Sequence, residues 1–309
     1  LLASGIDKGE EVLVPSLTFV GSANAISYIG AIPHFVDSEQ KFFGIDFGKL
    51  DKYLQKNTNI VNNVCINKNT NRKISAIVPV HIFGMIGNMK RLAEIAKKYK
   101  LIVIEDAAEA LGSFKNNKHA GLFGNCGCLS FNGNKIITTG GGGAVITNNK
   151  NLADKIRHLS TTSKVKKGYK FFHDGIGFNY RMPAINAALG ISQLKKLDAL
   201  IKLKRKLHQK YLQNFKNIKK VCFLTTREND LFNNWLNSIQ LEDKVSKSKD
   251  FIISELNKKG YECRPVWELL HSLNHFKDCP SMELSNAIKI HSTVINIPSS
   301  AQLYKNNKI

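Results

Sequence analysis

A single lysine, Lys135, stands between an apolar run and four consecutive glycines in Ser130-Phe-Asn-Gly-Asn-Lys135-Ile-Ile-Thr-Thr-Gly140-Gly-Gly-Gly143. A partly desolvated amine gives up its proton more readily and can then bind an aldehyde as a Schiff base. The glycines let the backbone pass close to a flat ligand and adopt positive φ. Upstream, Ile102-Val-Ile-Glu-Asp106-Ala-Ala-Glu109 ends a second apolar run on paired acids. In an extended strand Glu105 and Asp106 point to opposite faces.

These two segments suit pyridoxal 5'-phosphate. Such a site needs a lysine for the aldehyde and a carboxylate that keeps the ring nitrogen protonated. It also needs small or planar groups on both ring faces, and donors for the phosphate. Lys135 is the expected Schiff-base lysine and Asp106 the expected partner of the ring nitrogen. Ala107 and Ala108 leave room for a flat ring against the backbone. Phe19, in Pro15-Ser-Leu-Thr-Phe-Val20, is the candidate cover for the opposite face, and Ser130 and Asn132 are candidate phosphate donors. Each has a plainer alternative: a surface lysine, a strand-end aspartate capping the next helix, a core phenylalanine.

The elements that must position these groups can be read from alternation. Short apolar runs at 11–14, 33–36, 74–80, 101–105, 127–131 and 143–147 read as strands, with helical patterns at 21–29, 88–99 and 150–159 between them. This predicts an α/β fold with a mostly parallel sheet flanked by helices. Ligands in such sheets bind beyond the carboxyl ends of strands, where Asp106 and the 130–135 segment fall. Residues 161–181 read as a polar loop, and 183–214 as one long helix with an apolar stripe of Ala187, Leu189, Leu194, Leu197, Leu200 and Leu203. Beyond 219 the pattern turns α+β, with strands at 235–241 and 293–297 and a helix at 247–258. The expected division is a large domain over 1–200 and a smaller one over 201–309. Segments 62–73 and 164–170 read as solvated loops. Leu1-Leu-Ala-Ser-Gly5 reads as the last turn of a helix closed by glycine, which suggests that an N-terminal segment precedes it.

A chain of 309 residues can bury a sizeable core, and 43% hydrophobic with 22% charged residues is ordinary for a globular protein. The formal net charge of +21 is not ordinary. Its lysines are scattered among Asn and Ile instead of banked on one element, so no nucleic acid is expected as partner. The six cysteines form no CxxC pair and none has His at zinc spacing. They read as buried free thiols in a reducing cytoplasm, with no metal site. No apolar run is long enough for a membrane span.

The residues resemble the DegT/DnrJ/EryC1/StrS sugar aminotransferases, a branch of the fold-type I pyridoxal phosphate enzymes. The resemblance rests on Gly9 to Val20, Gly30-Ala-Ile-Pro-His-Phe-Val-Asp37, Pro79-Val-His-Ile-Phe-Gly84, Ile104 to Glu109 and Ser130 to Gly143. It continues through Gly177-Phe-Asn-Tyr-Arg-Met182 with Ala187-Ala-Leu-Gly190, and Asn296-Ile-Pro-Ser-Ser300. It implies the roles already given to Lys135, Asp106, Phe19, Ala108 and Ser130. It further implies that Glu109 lies near the cofactor's phenolic oxygen, where relatives often carry Gln or His. Asn179 matches an asparagine that crosses to the partner's cofactor phosphate, which implies a homodimer with two shared sites. Tyr180 and Arg181 would anchor that interface loop. The family's first phosphate loop would lie upstream of Leu1.

The segments 133–143 and 173–182 look most like enzymes that aminate C4 of nucleotide-linked 4-keto-6-deoxy sugars, with L-glutamate as donor. Within these the resemblance points to the subgroup of legionaminic-acid-type or bacillosamine-type pathways, with 2-acetamido substrates. Three alternatives stand beside this. One is a sugar dehydratase of the same fold, which would carry His at position 135. Another is a catalytically silent sensor or scaffold. The third is a nucleic-acid binder motivated by charge alone. His81 reads as a structural hydrogen-bonder, and Arg264, Trp267 and His271 as residues of the smaller domain.

Overall fold

The computed structural model describes residues 1–167, 169–225 and 231–305. Six strands make its main sheet: β1 (Glu11–Pro15), β2 (Ile32–Val36), β3 (Ile74–Ile77), β4 (Ile102–Asp106), β5 (Cys126–Ser130) and β6 (Gly143–Ile146). Their order is β6-β5-β4-β3-β1-β2. Every neighbouring pair is parallel except β5–β6. The α/β architecture is therefore the one expected from alternation. β1 is buried along its whole length, as a strand covered on both faces must be. Its one charge, Glu11, accepts hydrogen bonds from His34, Asn67 and Thr70. Burial pushes that carboxyl up, but these bonds outweigh it and leave the pKa lowered.

Helices α1 (Gly21–Tyr28), α2 (Phe47–Asn57) and α3 (Met89–Tyr99) lie between successive strands, and α4 (Lys150–Ser160) follows β6. α3 shows why: Asn88 accepts from the Arg91 N–H at its start, and Met89, Leu92, Ile95 and Tyr99 form one buried stripe. The chain leaves β1 for β2 on one side, then crosses to β3 on the other. In open parallel sheets ligands bind at the carboxyl edge near such a reversal. Asp106 and Ser130 end the parallel neighbours β4 and β5 at this same edge.

Several expectations need correction. The helix predicted over 183–214 is two helices, α5 (Ala184–Leu194) and α6 (Leu197–Phe215), separated by a turn at Lys195 and Lys196. The restart changes the helical phase, so the buried column of α6 is Ile201, Lys204, Leu207 and Tyr211 instead of the leucine stripe. Leu189 and Leu194 are exposed. Lys204 is tolerated in that column because its amine donates to the Ser299 carbonyl.

The polar stretch 161–181 contains an antiparallel hairpin, Lys164–Lys167 with Lys170–His173, in which Val165 opposes Phe172. Lysines interrupt the alternation that would have revealed it, and residue 168 lies outside the described residues. The supposed loop 62–73 likewise includes the strand Val64–Asn67, paired with Thr58–Val61. Cys222 is exposed, so not every thiol is buried; Cys65, Cys126 and Cys263 are. Leu2–Ser4 forms a 3-10 turn closed by Gly5 at φ 80°, as its sequence suggests.

The C-terminal sheet contains β7 (Val221–Phe223), β8 (Asn237–Leu241), β9 (Arg264–Pro265) and β10 (Val294–Ile297) in the order β7-β8-β10-β9, all antiparallel. It shares a small core with α6 around Leu207, Phe223, Ile239 and Ile295. Phe232, Trp235, Leu270 and Ile290 instead join the main core. The last third of the chain therefore packs into both. Among the described residues no helix is long and apolar enough to cross a membrane.

Candidate active site

β4 delivers two adjacent carboxylates to different surroundings. Glu105 is fully buried, bonded to His81 Nε2 at 2.7 Å and to the Gly121 and Gly124 N–H groups. Burial raises its pKa, but the His81 and backbone bonds leave it lowered. It is a structural anion, and His81 is its structural partner. Asp106 is only partly buried. Its Oδ2 accepts from Ser22 Oγ at 2.6 Å and its Oδ1 from the Ala108 N–H at 3.1 Å. Ser22 lies in the first turn of α1, so that helix holds the carboxylate of β4 across 84 residues of sequence.

The turn after β4 brings in Glu109, whose Oε2 accepts from the Phe83 N–H at 2.8 Å. Its other oxygen lies 3.7 Å from Lys135 Nζ, an ion-pair distance longer than a hydrogen bond. Burial pushes the Glu109 carboxyl up to about 8; the Lys135 charge and the Phe83 N–H oppose this, and the Asp106 charge adds to it. The charges of Lys135 and Asp106 thus act on Glu109 in opposite directions.

Lys135 sits in the loop after β5, with its own N–H donating to the Asn132 carbonyl. Its side chain is 14% exposed. Its amine lies 4.1 Å from the centre of the Trp235 ring, and the indole N–H donates to the Asn134 carbonyl at 2.9 Å. Farther along, Gly140 and Gly142 adopt φ 80° and 107°, the left-handed conformation anticipated for the glycine run.

The other predicted residues are distributed as follows. Ala108 sits beside Asp106 through its N–H. Ser130 is half-buried and its hydroxyl accepts from the Asn132 N–H at 3.3 Å; Asn132 is exposed. Phe19 is 58% exposed, and its carbonyl accepts from the N–H of Ser22, the residue that grips Asp106. Asn179 is exposed and bridges to Thr161 at the end of α4. Among the described residues of one copy, Asn179 makes no hydrogen bond or ion pair with Lys135. Arg264 is exposed; the Trp267 ring lies 5.3 Å from that of Phe83; His271 Nδ1 is 2.8 Å from Ser16 Oγ. A recess of about 470 Å³ lies elsewhere, beside α3 and Asn125 at the amino end of β4, and includes none of these groups.

Two contacts were not anticipated, Ser22 with Asp106 and Trp235 with Lys135. Both join residues 84 or more apart, and no local motif announces them. The donor set suits pyridoxal 5'-phosphate. It comprises a largely buried amine, a strand-end carboxylate that accepts one hydrogen bond at each oxygen, and a small alanine next to that carboxylate.

Comparison with known proteins agrees. The model described as the DegT/DnrJ/EryC1/StrS aminotransferase family matches residues 1–308. The chain is 35% identical to GDP-perosamine synthase of Caulobacter vibrioides, over 98% of this chain and 77% of that protein. It is 37% identical to GDP-perosamine synthase of Escherichia coli O157:H7, over 90% of this chain and 71% of that one. Among solved structures it resembles Helicobacter pylori PseC, an aminotransferase involved in the biosynthesis of pseudoaminic acid. The TM-score is 0.87 at 26% identity, covering 99% of this chain and 80% of that one.

Proposed function

This chain belongs to the DegT/DnrJ/EryC1/StrS aminotransferase family, and from that premise we propose that it moves an amino group from L-glutamate to C4 of a nucleotide-linked 4-keto-6-deoxy sugar. Members of the family are pyridoxal phosphate-dependent sugar aminotransferases, and this protein is an enzyme of that kind. The names of the two perosamine synthases support a nucleotide-linked sugar as the acceptor class. The C4 position rests on the likeness of segments 133–143 and 173–182 to C4-aminating relatives. The setting would be cell-surface glycan synthesis in the cytoplasm.

When bound, the cofactor supplies an electron-accepting ring and an aldehyde carbon that carries nitrogen between the two substrates. Lys135 would hold that aldehyde through Nζ. With its amine free, Lys135 Nζ would take the proton from Cα of glutamate and, for the sugar, return a proton in the opposite sense. Asp106 would keep a proton on the ring nitrogen, its carboxylate aimed by Ser22 and Ala108. Phe19 and Ala108 would bound the two ring faces. Ser130 and Asn132 would donate to the phosphate, and Glu109 would face the phenolic oxygen. Asn179 would reach the phosphate of a second copy, making the working form a homodimer.

One observation carries this reading: the Lys135 amine lies 3.7 Å from buried Glu109, three residues past Asp106, which ends its strand at the carboxyl edge of the sheet. The test is to supply 15N-labelled L-glutamate with GDP- or UDP-linked 4-keto-6-deoxy sugars. Labelled nitrogen at C4, with one 2-oxoglutarate formed per amine, is the expected product. Nitrogen at C3, or glutamate unconsumed with every 4-keto sugar, contradicts the reading.

A further inference from the structure

The segment from Asn233 to Trp235 touches both loops that carry the candidate groups. Asn233 Nδ2 donates to the carbonyls of Glu109 and Leu111, at 2.8 and 2.9 Å. The Asn233 N–H donates to Ser113 Oγ, and Asn233 Oδ1 accepts from the Trp235 N–H. Asn233 is fully buried, and the chain makes room for it: a Cβ at Gly84 would lie 2.0 Å from Asn233 Oδ1. Two residues on, Trp235 donates its indole N–H to the Asn134 carbonyl and offers its ring face to Lys135 Nζ. The Glu109 loop and the Lys135 loop are therefore fastened to one short segment that leads into β8.

We infer that Trp235 is a positioning residue, fixing the Lys135 loop and the direction of its amine relative to Glu109. The inference rests on the site reading given above for Lys135. The physical content is a division of labour within one side chain. The N–H holds the backbone next to Lys135, and the ring face packs beside the amine and steadies the ammonium it becomes once it has taken a proton. The amine then waits close to where it must move a proton, instead of sweeping through solvent. A lysine side chain has enough rotamer freedom for this confinement to matter.

The test compares the unaltered protein with Trp235→Phe, which keeps a ring but loses the N–H, and Trp235→Leu, which loses both. Hydrogen–deuterium exchange followed by mass spectrometry should show the peptide over residues 131–139 exchanging about fivefold faster in the Phe variant and about tenfold or more in the Leu variant. Peptides of β1 and β3 should exchange as before. In the glutamate half-reaction, kcat should fall about tenfold in the Leu variant with KM unchanged, and the Phe variant should recover most of the loss. Unchanged exchange over 131–139 in both variants overturns the inference, as does faster exchange spread evenly through the main sheet. Borohydride reduction after incubation with pyridoxal 5'-phosphate separates this failure from a wrong site. Label on Lys135 with unchanged exchange sinks this inference alone, and label on another lysine sinks the site reading along with it.

Discussion

Lys135 Nζ lies 3.7 Å from Oε1 of Glu109, a carboxyl buried deeply enough that its pKa is pushed up to about 8. The candidate cofactor lysine thus faces an acid that holds its proton near neutrality. Burial is the larger influence on that acid, and the Lys135 ammonium is the main opposing one.

Stability should fall with rising pH because of Glu109. Unfolded, the carboxyl titrates near 4.5; folded, it titrates near 8. Between these values the folded chain keeps a proton that the unfolded chain releases, so folding is progressively disfavoured as pH climbs through that window. Glu109→Gln keeps an acceptor for the Phe83 N–H but cannot ionise. In urea unfolding at pH 5 and pH 8, the variant should gain on the unaltered protein at the higher pH. A variant that gains nothing on the unaltered protein, or loses ground to it, between pH 5 and pH 8 would contradict the buried-acid account.

Glu105 and Asp106 are neighbours in sequence with opposite expected phenotypes. Glu105→Ala leaves His81 and the Gly121 and Gly124 N–H groups unpaired in the interior. It should lower stability by about 3–5 kcal/mol. Asp106→Asn should leave the unfolding midpoint nearly unchanged and reduce aminotransfer by about 100-fold or more. Denaturant titration and single-turnover kinetics on both variants check the pair. Equal effects on both properties would mean the two carboxylates are not divided in this way.

Gly127 in β5 lies against the backbone of Gly121, where an added Cβ would meet Cα at 2.2 Å. Backbone cannot rotate aside as a side chain can. Gly127→Ala should destabilise the protein by about 1–3 kcal/mol and displace the strand that leads to Ser130 and Lys135. Thermal unfolding together with cofactor affinity measures both consequences. An unchanged Tm would show that the approach is looser than described.

The shared sites proposed above for a homodimer predict complementation. Lys135→Ala lacks the amine but carries Asn179; Asn179→Ala has the reverse defect. Mixing the two and allowing subunits to exchange should restore about a quarter of the unaltered activity, because half the dimers are mixed and each has one intact site. No recovery after verified exchange would place Asn179 in its own chain's site, and a fully active Asn179→Ala would place it outside any site.

The parallel sheet and the edge carrying Asp106 and Lys135 were legible because covered strands leave unbroken apolar runs. The short run 74–80 ends as a strand at Ile77 with its polar outlet at His81, close to expectation. What escaped was set by tertiary contact. The turn at Lys195 and Lys196 keeps the helical composition and shifts only the phase, so the buried face of α6 could not be read from a continuous stripe. The hairpin at Lys164–His173 hides its alternation behind lysines. Ser22 looks like any small residue opening a helix, and Trp235 like any core aromatic; their partners lie 84 and 100 positions away.

The central claim is that one amine carries the cofactor, and it can be tested at that amine. The protein is incubated with pyridoxal 5'-phosphate, reduced with borohydride, digested and mapped by mass spectrometry. The account predicts a single dominant pyridoxyl group on the peptide containing Lys135, absent after Lys135→Ala while the fold persists. A stoichiometric label on any other residue, or one that survives in Lys135→Ala, would contradict it.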